Sequence, residues 1–279
     1  MRGEQQAERE RPEGDLLAGL GAHAYRGLRD VVVAAGGIDI TRYKDRCLLR
    51  RIAVRQRASG AADLRAYLKL VKALTIHVSQ FFRNPTTFHA LQHDVLPAIL
   101  AEKDRTGGRA LRLWSAGCAC GEEAYSLALL LCEAAQDALG RYSTTIYGTD
   151  IEPECVRAAR EGRYSAGSLK SVPARWRQRY FVAAGAQYVV GPELRGLVNF
   201  KRHNILDAPP FGRIDLVVFR NVLIYMADSL QEQVLRGIHG ALNSGGYLVL
   251  GKVEGLAGAA RDLFAPVNVP ERIYRKRAR

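Results

Sequence analysis

No stretch of the sequence approaches the roughly 18 to 20 unbroken apolar residues that cross a bilayer, so membrane insertion is not expected. The opening residues, MRGEQQAERERPEG, contain no apolar core of the kind a secretory leader needs. Residues 1–14 are expected to be a solvated, disordered tail, and the protein cytoplasmic. Cysteines are few and odd in number: Cys47, Cys118, Cys120, Cys132 and Cys155. Only Cys118 and Cys120 are close, and no second Cys/His pair follows at the spacing a structural zinc needs. No metal is expected, and free thiols in a reducing compartment are the simpler reading. No Ser/His/Asp or Cys/His arrangement for nucleophilic catalysis stands out either.

Acidic charge is also scarce. The 41 Lys and Arg outnumber the 28 Asp and Glu, for a net charge of +13 over 279 residues. An acidic partner is therefore open, nucleic acid included. The excess is uneven. Residues 41–60 hold Arg42, Lys44, Arg46, Arg50, Arg51, Arg55 and Arg57 against Asp45 alone. At 100° per residue Leu48, Leu49 and Ile52 share one stripe, so this segment is expected to be an amphipathic helix with basic edges. A second helix, residues 61–74, follows the turn SGAAD. Residues 15–75 are thus expected to form a basic helical domain, and residues 76–108 a linker and helix.

From residue 109 the rhythm changes. RALRLWSAG, TTIYGTD, LVNFKRHN, IDLVVFRN and GYLVLGK read as strands. Helical patterns over 122–139, 152–162 and 228–242 separate several of them. That alternation predicts an α/β fold, a mainly parallel sheet covered on both faces, over residues 109–279. The last residues, FAPVNVPERIYRKR, are expected to add antiparallel edge strands. Residues 176–197 are too rich in β-formers for a helix and are expected to be a small β excursion.

The turn SAGCACGEE follows the first strand, where a parallel sheet binds its ligands. Gly117 and Gly121 give G-x-x-x-G. This is neither the G-x-G-x-x-G of dinucleotide folds nor the Gly-Lys-Ser/Thr of a phosphate cradle. Glu122 and Glu123 come next and would repel a phosphate. They suit a cationic or hydroxyl-rich ligand. The second strand ends at Asp150, where doubly wound folds hold ribose hydroxyls. A glycine turn, early carboxylates and a ribose acid together point to S-adenosylmethionine, which has a ribose, a sulfonium and an ammonium but no phosphate. A nucleotide domain of another kind is the alternative.

Five segments occur in one order: ALTIHVSQFFRNPTTF, LRLWSAGCACGEEAYSLALLL, IYGTDIEPECVRAAREGRYS, FKRHNILD and IDLVVFRNVLIYM. Together they resemble the chemotaxis receptor methyltransferase family, CheR, from about residue 25 onward. The resemblance implies a Rossmann-like class I methyltransferase fold with an N-terminal helical domain. It implies methyl transfer from S-adenosylmethionine to receptor glutamates, leaving glutamyl methyl esters and S-adenosylhomocysteine. Carried over by motif, Arg83 and Tyr225 would serve the methyl-transfer end. His77, Ser79, Arg83, Gly117, Glu123, Asp150, Asn204, Ile205, Arg220 and Asn221 would contact the cofactor. Glu123 would take its ammonium and Asp150 its ribose, while Asn204 and Ile205 frame the adenine.

Arg46, Arg50, Arg51, Arg55 and Arg57 would dock the cytoplasmic helices of chemoreceptors or similar acidic proteins. A monomer is expected, and no receptor tether through the β excursion. His77 and Ser79 stand where the family usually has Asn and Thr, Cys120 where Thr is common, and Ala124 where Pro is common. GKVEGL replaces a more usual Gly-His-Ser-Glu. Two other readings are weighed beside this one. A nucleic-acid methyltransferase is favoured only by charge: RNVLIY is not an amino-methylating Asn/Asp-Pro-Pro-Tyr/Phe motif, and no aromatics interleave the basic cluster. A non-enzymatic S-adenosylmethionine-binding scaffold is the other.

Overall fold

The computed structural model describes residues 79–277. The tail 1–14, the helical domain 15–75, His77 and the docking residues Arg46, Arg50, Arg51, Arg55 and Arg57 lie outside the described residues. The chain divides into two compact units, residues 1–76 with 225–227 and residues 77–224 with 228–279. Residues 79–108 belong to the same unit as the sheet.

In that second unit the chain enters through helix α1 (Pro85–Ala90), a π-turn (Leu91–Val95) and helix α2 (Leu96–Thr106). Pro85 opens α1, where a missing N–H costs nothing, and Gly107 (φ 68°) closes α2 in the left-handed region. Strand β1 (Ala110–Ala116), helix α3 (Glu122–Ala135), strand β2 (Ser143–Asp150) and helix α4 (Pro153–Glu161) follow. Helix α3 stops at Ala135 and a 3-10 turn, Gln136–Arg141, replaces the expected continuation to 139.

A three-stranded antiparallel sheet comes next. It consists of β3 (Arg163–Ser165), β4 (Phe181–Ala184) and β5 (Gln187–Val190) in the order β3-β5-β4, with helix α5 (Ala174–Tyr180) between β3 and β4. The β excursion thus begins earlier than expected, and residues 176–180 are helical. Trp176 and Tyr180, four apart, are both buried, and burial of that helical stripe overrides their β preference.

The chain then returns through helix α6 (Pro192–Arg195) to β6 (Val198–Arg202), β7 (Ile214–Phe219), helix α7 (Asp228–Ala241), β8 (Leu242–Leu250), β9 (Phe264–Asn268) and β10 (Ile273–Lys276). The helical pattern expected to reach 242 ends at Ala241, and Asn243 and Gly245 lie within β8, beside a register shift in its pairing with β7.

The main sheet runs β6-β2-β1-β7-β8-β10-β9. Strands β6, β2, β1, β7 and β8 are parallel, and β10 pairs antiparallel with both β8 and β9. This is the expected Rossmann-like class I methyltransferase fold. All six residues of β7 are buried, as a strand covered on both faces requires. Registers are tight: Ala116 pairs with Thr149, and Asp150 with Arg202. The first strand's exit turn, Asp150 and the end of β6 therefore emerge level with one another.

Eleven of the fourteen α3 residues are buried, so α3 is enclosed on more than the sheet side. Its Ser126 hydroxyl accepts the Phe82 amide at 3.0 Å, and its Glu133 accepts the Tyr180 hydroxyl at 2.9 Å. Phe81 packs edge-on against Tyr164 and Phe181, and Phe82 against Phe88 and Trp176. Each such buried ring contributes about 1.5–3 kcal/mol by area alone. The FFR segment is thus fastened both to α3 and to the small β-sheet.

Candidate functional site

The crevice lies at the carboxyl ends of β6, β2, β1 and β7, where the strand order reverses between β1 and β7. Gly117 (φ 70°) leaves β1, and its amide and that of Cys118 both donate to the Thr149 carbonyl, at 2.7 and 2.9 Å. The turn is thereby bound to the tip of β2. A Cβ on Gly117 would stand 2.8 Å from Val222, so the residue must be small as well as left-handed. Gly121 (φ 96°) caps α3, and a Cβ there would meet Ala159, Phe200 and the Tyr164 hydroxyl at 2.9–3.0 Å.

Three carboxylates gather around this turn. Asp150 takes the Ala119 amide on one oxygen (2.9 Å) and the Glu152 amide on the other (3.0 Å). Each oxygen keeps a lone pair for a further donor. Glu123 accepts from the Ser115 hydroxyl at 2.8 Å and from Arg220 at 3.3 Å. Burial pushes its carboxyl above the ordinary range, against the opposing pull of Arg220. Glu122 is buried, its carboxyl is raised by that burial, and a hydrogen bond from Ser79 works in the opposite direction. Its Oε2 has no hydrogen-bond partner. The buried Cys118 thiol is pushed up by burial first, then by Asp150, Glu123 and Glu122 together.

A concentration of buried negative charge with one orphaned oxygen is costly on its own. It fits a ligand carrying positive charge and hydroxyls, and it would repel a phosphate. S-adenosylmethionine meets that description.

Arg220, at the end of β7, is expected from sequence to touch the cofactor. Its side chain is 1% exposed and is engaged with the protein. One nitrogen reaches Glu123. Another donates to the Arg83 carbonyl (2.8 Å) and to the Asn84 side chain (2.5 Å), and the guanidinium lies 5.5 Å from the Phe88 ring. Arg220 thus ties β7, α3 and the FFR turn into one piece. Phe82 (φ 53°) and Asn84 (φ 63°) flank Arg83 in the left-handed region. That conformation is uncommon for a bulky ring and marks a turn held by its surroundings.

Asn204 and Ile205 follow β6. The amide of His203 donates to the Asp150 carbonyl at 2.9 Å, and Asn204 caps its own turn through the Leu206 amide at 3.1 Å. These two residues therefore sit next to Asp150. Asn221 (φ 62°) follows Arg220, and its amide donates to Glu254 at 2.8 Å. Tyr225 ends a 3-10 turn, Leu223–Tyr225, and belongs to the first unit.

The structure brings Ser79, the Arg83 backbone, Gly117, Glu123, Asp150, Asn204, Arg220 and Asn221 to one end of the sheet. It also defines two further acids. The sequence put Glu122 at the turn with Glu123 without giving it a contact of its own, and helical geometry aims the two acids differently. Glu254 is the other. It is buried and accepts the amides of Gly251 (2.6 Å), Asn221 (2.8 Å) and Ile224 (3.3 Å), which fixes the turn after β7. Its signal was an acid just past a buried strand, in GKVEGL. No group of three or more His, Cys, Asp or Glu suited to a metal occurs among the described residues.

The family model described as CheR methyltransferase, SAM binding domain, matches residues 77–273. An uncharacterised 104.1 kDa protein of Rhodobacter capsulatus is 36% identical over 91% of this chain, which spans 27% of that protein's length. A chemotaxis protein methyltransferase of Listeria innocua is 32% identical over 83% of this chain and 90% of its own. Chemotaxis protein methyltransferase 1 of Pseudomonas aeruginosa is 36% identical over 67% and 69% respectively. On the strength of a match across most of the second unit, the chain belongs to the CheR methyltransferase family.

Proposed function

We propose that this protein transfers a methyl group from S-adenosylmethionine to glutamate side chains on acidic cytoplasmic helices of chemoreceptors or similar proteins, forming glutamyl methyl esters. The observation that carries the reading is the set of carboxylates, Glu122, Glu123 and Asp150, gathered at the strand ends. Asp150 would hold the ribose hydroxyls, and Glu122 with Glu123 the ammonium. Asn204 and Ile205 would border the adenine. The cofactor, when bound, supplies a methyl already activated on a positive sulfur.

The residues around it need only orient and enclose. A glutamate carboxylate, with a reference pKa of about 4.3, is ionised at neutral pH, so no general base is required. Alignment of the attacking oxygen alone can be worth several kcal/mol. Arg83 is the orienting group: its carbonyl accepts from Arg220, and a guanidinium can hold a carboxylate in a fixed plane. Tyr225 shapes the methyl end without transferring a proton. The basic residues between 42 and 57 draw in the acidic partner.

The test is incubation with methyl-labelled cofactor and a panel of receptor cytoplasmic fragments. Transferred label should be released by mild alkali as volatile methanol, because carboxyl methyl esters are base-labile. Label that stays on the acceptor after alkali, or no transfer to any acidic helical fragment, would overturn the proposal.

A further inference from the structure

Outside the acids, one pair of reactive side chains stands at the rim of the crevice. The sulfurs of Cys120 and Cys155 are 3.6 Å apart and share a thiol hydrogen bond. Cys120 is half-buried and Cys155 buried, and neither is in a disulfide. They are 35 residues apart in sequence, and each lies one to three residues past an amide that holds Asp150. Cys120 follows Ala119, whose amide donates to Asp150 Oδ2. Cys155 lies in the first turn of α4, just past Glu152, whose amide donates to Oδ1.

We propose that Cys120 and Cys155 form a reversible intramolecular disulfide in the presence of a hydroperoxide, and that this bond weakens cofactor binding. The effect on binding rests on the placement of the cofactor ribose at Asp150 given above. The Cys120 thiolate attacks a peroxide oxygen. The O–O bond breaks, a sulfenic acid remains, and the other oxygen leaves as water from hydrogen peroxide, or as an alcohol from an organic hydroperoxide, with the proton lost when the thiol ionised. The Cys155 sulfur then attacks that sulfur, the S–O bond breaks, and the second oxygen leaves as water with the Cys155 proton. A dithiol reverses the bond by returning two hydrogens.

The order of attack follows from the surroundings. Cys120 is half-buried and Cys155 buried, so a peroxide reaches Cys120 first; the contact between the two thiols pulls the Cys120 thiol down and, with burial, pushes Cys155 up. A lowered, partly accessible thiol attacks, and its buried neighbour resolves. Cys118 is fully enclosed and its thiol is raised, so it stays out of the reaction.

A disulfide sets the sulfurs about 2.05 Å apart, so the two sulfurs must approach by about 1.5 Å, through side-chain rotation and backbone movement together. The Cys120 backbone is not free to follow. Its carbonyl accepts the Tyr164 hydroxyl at 2.7 Å, and the preceding amide is held by Asp150. Any backbone movement that brings the sulfurs together therefore disturbs the bonds that aim Asp150.

The test uses the full chain, reduced or treated with hydrogen peroxide. Thiol trapping, proteolysis and mass spectrometry map the linkage, and calorimetry measures S-adenosylmethionine binding. The expected result is a peptide linking Cys120 to Cys155 and an affinity lower by about tenfold or more, restored by dithiothreitol. Cys155→Ser should keep its affinity after peroxide. A linkage through Cys47 or Cys118, no linkage, or linked protein that binds as tightly as reduced protein overturns the proposal. Reduced protein that takes up no cofactor overturns the cofactor placement, and the switch with it.

Discussion

Glu122 and Glu123 are neighbours in the chain with different surroundings. Both oxygens of Glu123 are used by the protein, whereas Glu122 keeps one buried oxygen without a partner. Burial raises the Glu122 carboxyl, so the folded state favours its protonated form. Its stabilising contribution is complete below the ordinary carboxylate pKa of about 4.3 and is lost as pH rises through the higher folded value. Glu122→Gln should therefore raise the melting temperature of the cofactor-free protein at pH 7, with the gain shrinking towards about pH 4. The same variant should bind S-adenosylmethionine more weakly, by about 1.5–3 kcal/mol, the scale of a hydrogen bond to a charged group. Thermal melts across pH and calorimetry check the two halves. Arg83→Ala leaves the carbonyl that Arg220 grips in place. It should abolish methyl transfer to receptor fragments while cofactor affinity stays within about tenfold, or about 1.4 kcal/mol. Unchanged turnover would remove Arg83 from the chemistry.

The element whose construction is most demanding is the turn from β1 into α3. Gly121→Ala would force a side chain into φ 96° and within 2.9–3.0 Å of Ala159, Phe200 and Tyr164. Gly107→Ala shares the left-handed φ but meets nothing within 4 Å. The open site should lose only the about 1–2 kcal/mol of a left-handed residue, and the crowded one about 1–3 kcal/mol more from overpacking. Urea unfolding of the two variants separates the terms. The turn itself was legible: an apolar run, two glycines and two acids after a strand have few other structural meanings. The strands of the sheet were equally plain, because parallel strands are continuous apolar runs. Helix α5 was not, since Trp, Tyr and Phe prefer strands locally and only the burial of Trp176 with Tyr180 decides otherwise. The motif places Arg220 at the site but does not show which protein groups it holds, because a motif gives order along the chain, not direction. Its bonds to Glu123, Arg83 and Asn84 span separations of 97, 137 and 136 residues, which no local pattern encodes.

At the scale of the whole molecule, a net charge of +13 meets a crevice lined with acids. The two serve different partners: the acids suit a small cation, and the basic residues between 42 and 57 suit an acidic helix. Raising ionic strength from about 0.01 M to about 0.15 M shortens the screening length from about 30 to about 8 Å. KM for an acidic receptor fragment should then rise several-fold with kcat little changed, while cofactor affinity, set inside the crevice, moves far less. Initial rates at several salt concentrations check this, and a KM indifferent to salt would detach the basic segment from substrate capture. Arg220 adds one more consequence. A single guanidinium grips a helix start and a distant turn together, so neither can open by itself. In hydrogen–deuterium exchange, backbone amides near Asn84 and at the head of α3 should lose protection in concert, and Arg220→Lys should split them into two independent fluctuations.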